Sequence, residues 1–282
     1  MRNPYGALLL IVLSAAVGGW LLYAALRWRA ARRRAQLRAR PLPTAWVALL
    51  SARCDWYRCL DAGERGRLHA HLQEFLANKQ FIGCNGFELN DEHRLLIAAR
   101  ACLLVVNRPG PPWPNVQRIL VYPDAFVARY AEHDGWLEHE LAEARAGEAW
   151  EDGPVVLSWA DIVAGAASGD HDVILHEFAH KLDQAEPDSP GLPWLDDAEQ
   201  LRAWSEVMAD SYRALQAAVA RGEDSLLDPY AAESPAEFFA VATETFFLAP
   251  RAMRERLSRL YAVLRDFYRL DPASWPPRAT RT

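Results

Sequence analysis

No two cysteines in this sequence stand at the short Cys-x2-Cys spacing of a thiolate zinc site, and there are only four, at Cys54, Cys59, Cys84 and Cys102. A zinc ribbon or finger is therefore excluded. In a reducing compartment these four remain thiols and read as small buried hydrophobes, whereas export would leave two disulfides open. Acidic residues are missing from the first 40 positions, which hold eight arginines. Taking those eight from the 31 basic residues leaves 23 against 37 acids, a balance of -14 for the remainder. An acidic globular part lacks the basic face that phosphate backbones require, so nucleic acid is not an expected direct partner. Internal repeats are absent too, and the arginine run is the only biased segment. With 51% hydrophobic residues in 282, there is enough apolar material for one large domain or two small ones.

The absence of charge is as informative as its sign. From Tyr5 to Leu26 runs YGALLLIVLSAAVGGWLLYAAL, 22 residues without a charge. As a helix it would span about 33 Å, enough for a hydrocarbon core of about 30 Å. Arginines at 27, 29, 32, 33, 34, 38 and 40 follow. A cleaved signal peptide carries its charge before the apolar stretch, and here the charge comes after it. By the positive-inside rule the downstream side stays in the cytoplasm. The expectation is one transmembrane helix at 1–27, a basic juxtamembrane linker at 28–44 able to hold anionic headgroups, and a globular domain at 45–282. This places the chain at the bacterial inner membrane as a single-pass protein with the domain facing the cytoplasm.

Within 45–282 the pattern predicts helices from Trp46 to about Leu60 and from Glu64 to Asn78, then an extended crossing at Phe81–Leu89. Asn90 is positioned to cap a helix carrying Leu95, Leu96, Ala99, Cys102 and Leu103. Residues 116–130 read as two short strands turned at Pro123 and Asp124, and Pro154–Trp159 as a third. Gly165–Asp170 reads as a small-residue loop. Three further helices are expected near Asp196–Arg221, Pro235–Leu248 and Arg251–Leu270. The order is helices, a few strands, then mostly helices: an α+β class, mostly helical with a small sheet.

The chemistry centres on HEFAHKLD, residues 176–183. On a helix, positions four apart share a face, so His176 and His180 can both present imidazole nitrogens to one Zn²⁺. Glu177, about 100° round from His176, stands beside the ion without ligating it, where it can take a proton from water that the metal acidifies. Leu175, Ala179 and Leu182 form the stripe that buries the helix. Five residues alone leave open a polar helix face with solvated histidines. A hydrolytic zinc site needs a third protein ligand and an open position, and the best candidate lies 57 residues after His180, at Glu237. Ser234, Pro235 and Glu237 also make a capping box, so spacing leaves Glu237 open between ligand and cap. Glu244, seven further on, is read as a partner to a ligating histidine or as a solvated acid. Tyr230 could donate to an oxyanion or simply pack in a loop. Asp183 could orient an imidazole or face solvent, and Glu233 is expected in solvent. His171 is expected to point elsewhere, and His69, His71, His93, His133 and His139 to lie on the surface. Val155–Trp159 is open between an edge strand that a peptide could join and an interior one.

Taken with YAAESPAEFFAVATETFF at 230–247, with LNDEHRLLIAARACLLVVN at 89–107 and with GPVVLSW at 153–159, HEFAHKLD resembles the Mlc titration factor A family of zinc-dependent peptidases over roughly residues 45–272. The resemblance implies a zincin-like metallopeptidase fold similar to the catalytic domain of anthrax lethal factor. It also implies His176, His180 and Glu237 as ligands of one zinc ion, Glu177 as general base and Tyr230 as donor to the transition state. The activity it implies is aminopeptidase-like, on peptide or protein substrates. The best-known family member also binds a transcriptional repressor, Mlc, so a repressor is a candidate partner. The amino-terminal anchor departs from that soluble member. Two functions are thus expected: a membrane-anchored zinc peptidase, or a protein that sequesters a repressor at the membrane with a structural or little-used zinc site.

Overall fold

The computed structural model describes residues 4–108, 110–124, 153–183 and 198–276, with the side chains of 4–12, 14 and 15 left out. The chain divides into two compact units, Met1–Pro41 and Leu42–Thr282. The first contains α1 (Pro4–Arg38), one helix of 35 residues that continues through most of the arginine run. Alanine and arginine are good helix formers. Arg27 and Arg32 also lie over the rings of Tyr23 and Trp28, each one turn back, at 5.7 and 5.2 Å from the ring centres. Among the described residues no helix is long and apolar enough to cross a membrane, so the expected span over Tyr5–Leu26 gains no support from the structure. Much of that stretch falls on the side chains that lie outside the described residues.

In the second unit a helical run expected as continuous from Trp46 is two helices, α2 (Thr44–Arg53) and α3 (Asp55–Cys59). The break is at Cys54, which takes an extended backbone and buries its thiol. Helix α4 (Ala62–Asn78) starts at a capping box between Asp61 and Glu64. Strand β1 (Gln80–Gly83) follows, then α5 (Asp91–Leu104), capped by Asn90 as expected. Beyond α5 come β2 (Arg118–Tyr122) and β3 (Val155–Ser158). The strand expected after Pro123 and Asp124 lies outside the described residues. The three strands pair in the order β1-β2-β3, all parallel, with Gln80 opposite Arg118 and Tyr122 opposite Ser158. Parallel neighbours need a crossover, and α5 supplies it between β1 and β2. Among the described residues β3 pairs on one side only.

Gly165–Asp170 is not a loop throughout. It contains the last turn of α6 (Trp159–Ser168), which ends at Gly169 in the left-handed conformation, φ 79°. The alanines there propagate a helix as readily as they would fill a loop. Helix α7 (Val173–Asp183) carries the two histidines. After α8 (Ala198–Ala220) and a 3-10 turn (Pro229–Ala232) comes α9 (Pro235–Leu248), packed across α7. The final expected helix is two, α10 (Pro250–Arg256) and α11 (Ser258–Tyr268), broken at Leu257.

The core forms where α5, α7 and α9 meet. Leu95 to Leu104 of α5 is apolar on nearly every side, as befits a helix enclosed by others. Ile174, Leu175, Phe178, Ala179 and Leu182 bury one face of α7, while Phe238, Phe239 and Phe246 do so for α9. Phe178 meets the edge of Trp113 at 4.8 Å between ring centres and Phe75 at 6.0 Å. Trp113 is itself fixed by its indole N–H, which donates to the Ala101 carbonyl at 2.9 Å. Of the histidines expected on the surface, His71 is buried at 1% exposure on the inner face of α4. His69 pairs with the Tyr57 hydroxyl at 2.7 Å, and His93 accepts from the Asn90 amide at the start of α5. His133 and His139 lie outside the described residues. Cys54 and Cys102 are buried as expected, while Cys59 and Cys84 are half-buried.

Phe178→Ala leaves a cavity behind the histidine helix and is expected to lower the unfolding free energy by about 3–5 kcal/mol. The measurement is the urea midpoint at unchanged denaturant slope.

Candidate metal centre

Helix α7 owes its start to Asp172. Its Oδ1 accepts from the amides of Ile174 and Leu175, both at 3.2 Å, and its carbonyl accepts from the His176 amide at 3.0 Å. With the apolar face of α7 turned into the core, His176 and His180 share the opposite side. Their Nε2 atoms are 3.1 Å apart and their rings lie at 79° to each other.

Helix α9 brings the carboxylates. Ser234 Oγ accepts from the Glu237 amide at 3.1 Å, so the serine half of the expected capping box is present. The glutamate half is not, because the Glu237 side chain turns to the histidines. Its Oε2 lies 3.1 Å from His176 Nε2 and 3.5 Å from His180 Nε2. One ligand atom from each of His176, His180 and Glu237 falls within 4.8 Å of the others. In the structure the backbone of Glu237 is capped while its carboxylate stands with the imidazoles.

Glu244, two turns further along α9, is buried and accepts three hydrogen bonds. The donors are His176 Nδ1 at 2.7 Å, His171 Nδ1 at 2.6 Å and the Asp172 amide at 2.8 Å. Glu244 therefore partners His176, the first of its two expected readings, and Asp183 sits buried at the end of α7 rather than facing solvent. His171 stays outside the three-residue cluster, but it does not point away from it, since it shares Glu244 with His176. Sequence reading missed this contact and the part played by Asp172. For Asp172 a signal existed, since an aspartate just before an apolar helical run is a cap signature. Glu233 is exposed, as expected. Strand β3 packs against α7 and has one free edge among the described residues.

The electrostatics are those of a site that calls for a cation. Burial alone would lower the His176 pKa, but hydrogen bonds to Glu237 and Glu244 outweigh it and raise it to about 10. Burial opposes ionisation of Glu237, yet bonds to both histidines hold its carboxyl well below the usual range. Glu244 is lowered in the same way, against burial, by His171 and His176. Glu177 goes the other way: burial raises its carboxyl, and the nearby imidazoles only partly offset this. Tyr230, in the 3-10 turn, has its ring centre 6.4 Å from that of His176 and is 46% exposed. Burial and the negative charge of Glu237 and Glu233 raise its phenol, which therefore keeps its proton as a donor. Two imidazole nitrogens and a carboxylate oxygen converging without a fourth protein ligand, among the described residues, fit a borderline divalent ion such as zinc with a position left open.

Comparison with known proteins places this geometry in context. The family model described as glucose-regulated metallo-peptidase M90 matches residues 27–269. An uncharacterized protein of Synechocystis is 41% identical over 244 residues, covering 85% of this chain and 89% of its own length. Mlc titration factor A of Escherichia coli and that of Shigella flexneri are each 34% identical over 219 residues, covering 76% of this chain and 82% of theirs.

Because hydrogen bonds to Glu237 and Glu244 favour the protonated form of His176, a divalent ion competes with a proton there. Zinc addition is expected to release protons, and affinity is expected to fall as pH drops through the neutral range. Calorimetry in buffers of different ionisation enthalpy measures both.

Proposed function

The chain belongs to the M90 metallopeptidase family, and on that premise we propose that it is a membrane-anchored, zinc-dependent peptidase of aminopeptidase-like mode whose general base is Glu177. The observation that carries the proposal is the convergence of His176 Nε2, His180 Nε2 and Glu237 Oε2, with Glu177 next to His176 on the same helix. Held by those three residues, one zinc ion would supply Lewis acidity, polarising a peptide carbonyl and making water a better acid. Glu177 takes the proton from the attacking water and later gives it to the departing amine. Its raised pKa brings it nearer the range in which a carboxylate both accepts and returns a proton close to neutrality. The Tyr230 hydroxyl donates to the carbonyl oxygen as negative charge grows there. Glu244 keeps the His176 ring oriented by holding its Nδ1. The edge of β3 that is unpaired among the described residues, packed against α7, offers backbone groups along which an extended peptide can pair.

The anchor belongs to the same proposal and rests on sequence: 22 uncharged residues followed by seven arginines. It puts the domain on the cytoplasmic face of a bacterial inner membrane, with the arginines toward anionic headgroups. A second reading, capture of a transcriptional repressor at the membrane with little use of the metal, is favoured by one observation. That observation is the 34% identity with proteins named Mlc titration factor A.

Glu177→Gln is expected to keep its zinc while losing about 10²–10⁴-fold in hydrolysis of peptides or amino-acid anilides. Tyr230→Phe is expected to lower kcat about 10²–10³-fold with KM little changed. Wild-type protein that binds zinc and hydrolyses none of these substrates would overturn the enzyme reading in favour of repressor capture. A carboxyl-terminal reporter active only in the cytoplasm, with the full chain in the membrane fraction, is the expected result for the anchor. Recovery of the full chain in the soluble fraction would overturn it.

A further inference from the structure

Arg100 interrupts the apolar run from Leu95 to Leu104 in α5. Its side chain is mostly enclosed, 12% exposed, and its Nε lies 2.5 Å from Asp172 Oδ2, whose side chain is 13% exposed. Burying a guanidinium and a carboxylate costs both their hydration, and a well-packed apolar pair commonly stabilises a core as much or more. Stability alone is therefore a poor account of this pair, and its position suggests a better one. Asp172 is the junction of the metal centre. Besides Arg100, it binds the amides of Ile174 and Leu175 through Oδ1, the His176 amide through its carbonyl, and Glu244 Oε2 through its own N–H at 2.8 Å. It thus bonds the backbone of His176 and the carboxylate of Glu244, the two residues that meet through His176 Nδ1.

The strap His171–Asp172 is also confined from another side. A β-carbon on Gly165 of α6 would lie 2.3 Å from the His171 carbonyl oxygen, so the strap rests directly on that helix. His171 in turn reaches Glu244 through its Nδ1 at 2.6 Å. The strap is held by contact with α6, by hydrogen bonds to α9 and by charge to α5.

We propose that Arg100 is a positioning residue of the metal centre, which acts through Asp172 to set where the His176 ring and the Glu244 carboxylate stand. The inference rests on the metal-site reading above, and Arg100 itself touches neither ligand nor substrate.

The test uses the full-length protein in detergent, as wild type and as Arg100→Met, Arg100→Lys and Asp172→Asn. Leu68→Ala, a core truncation in α4, serves as a control for lost stability. Two quantities are read: Co²⁺ affinity with its visible spectrum, and the NMR signal of the His176 Nδ1 proton in metal-free protein. Arg100→Met is expected to weaken Co²⁺ binding about 10-fold, to alter the spectrum and to speed exchange of the ring proton. Arg100→Lys is expected to restore part of each. Leu68→Ala is expected to lower Tm and leave both readouts unchanged. Wild-type affinity, spectrum and ring signal in Arg100→Met would overturn the proposal. Should that variant not fold, Asp172→Asn decides in its place, since it keeps the cap and the backbone bonds while weakening the ion pair, and wild-type readouts there overturn the proposal equally. Wild-type protein that takes up neither Co²⁺ nor Zn²⁺ would refute the metal reading, while the ring-proton comparison still decides the role of Arg100.

Discussion

A carboxylate buried to 4% exposure is tolerable only if its oxygens are bonded, and Glu244 meets that demand with three donors from one short segment, residues 171–176. The consequence runs outward from this one group. Because Glu244 lies on α9 and its donors lie at the start of α7, the two helices have one favourable register rather than a range of sliding positions. Two turns back along α9, that register places Glu237 against His176 and His180. The cluster of ligand atoms follows from satisfying a buried charge elsewhere.

The same arrangement explains why the site favours a cation. Glu177, Glu237 and Glu244 stand beside the imidazoles of His171, His176 and His180, and carboxylates beside neutral imidazoles leave negative charge to be balanced. In the metal-free protein a proton on His176 supplies part of the balance, which is why its pKa rises despite burial. A divalent ion would supply it more fully, and the family to which the chain belongs is one of metallopeptidases.

Much of this was legible in sequence because it depends on short-range geometry. Two histidines four apart must share a helix face, and Asn90 before an apolar run must cap. Glu237 was harder, since the same serine-proline-glutamate pattern serves a cap and a ligand. Only the partner helix shows where the carboxylate goes, because the backbone of Glu237 can be capped while its side chain turns to the histidines. His171 escaped because the rotation from residue 171 to 176 was counted as if both lay in α7. Residue 171 precedes the helix, so helical periodicity does not govern its direction. His71 was assigned to the surface by its charged neighbours, though the opposite face of α4 meets the core. The two mid-helix breaks, at Cys54 and Leu257, carry neither proline nor glycine and so give no local warning. The membrane span stands apart: its argument is compositional, and the structure adds nothing to it.

The catalytic candidates fall into two groups by covalent connection. His176, Glu177 and His180 share α7, whereas Tyr230, Glu237 and Glu244 lie on the 3-10 turn and on α9. Between His180 and Glu237 run 57 positions of chain. An ion gripping both groups is therefore a cross-link closing a long loop, and in chain-entropy terms a tether at that separation is worth about 4 kcal/mol. Such an ion would add a second clasp, beside the one Glu244 already makes between the two groups.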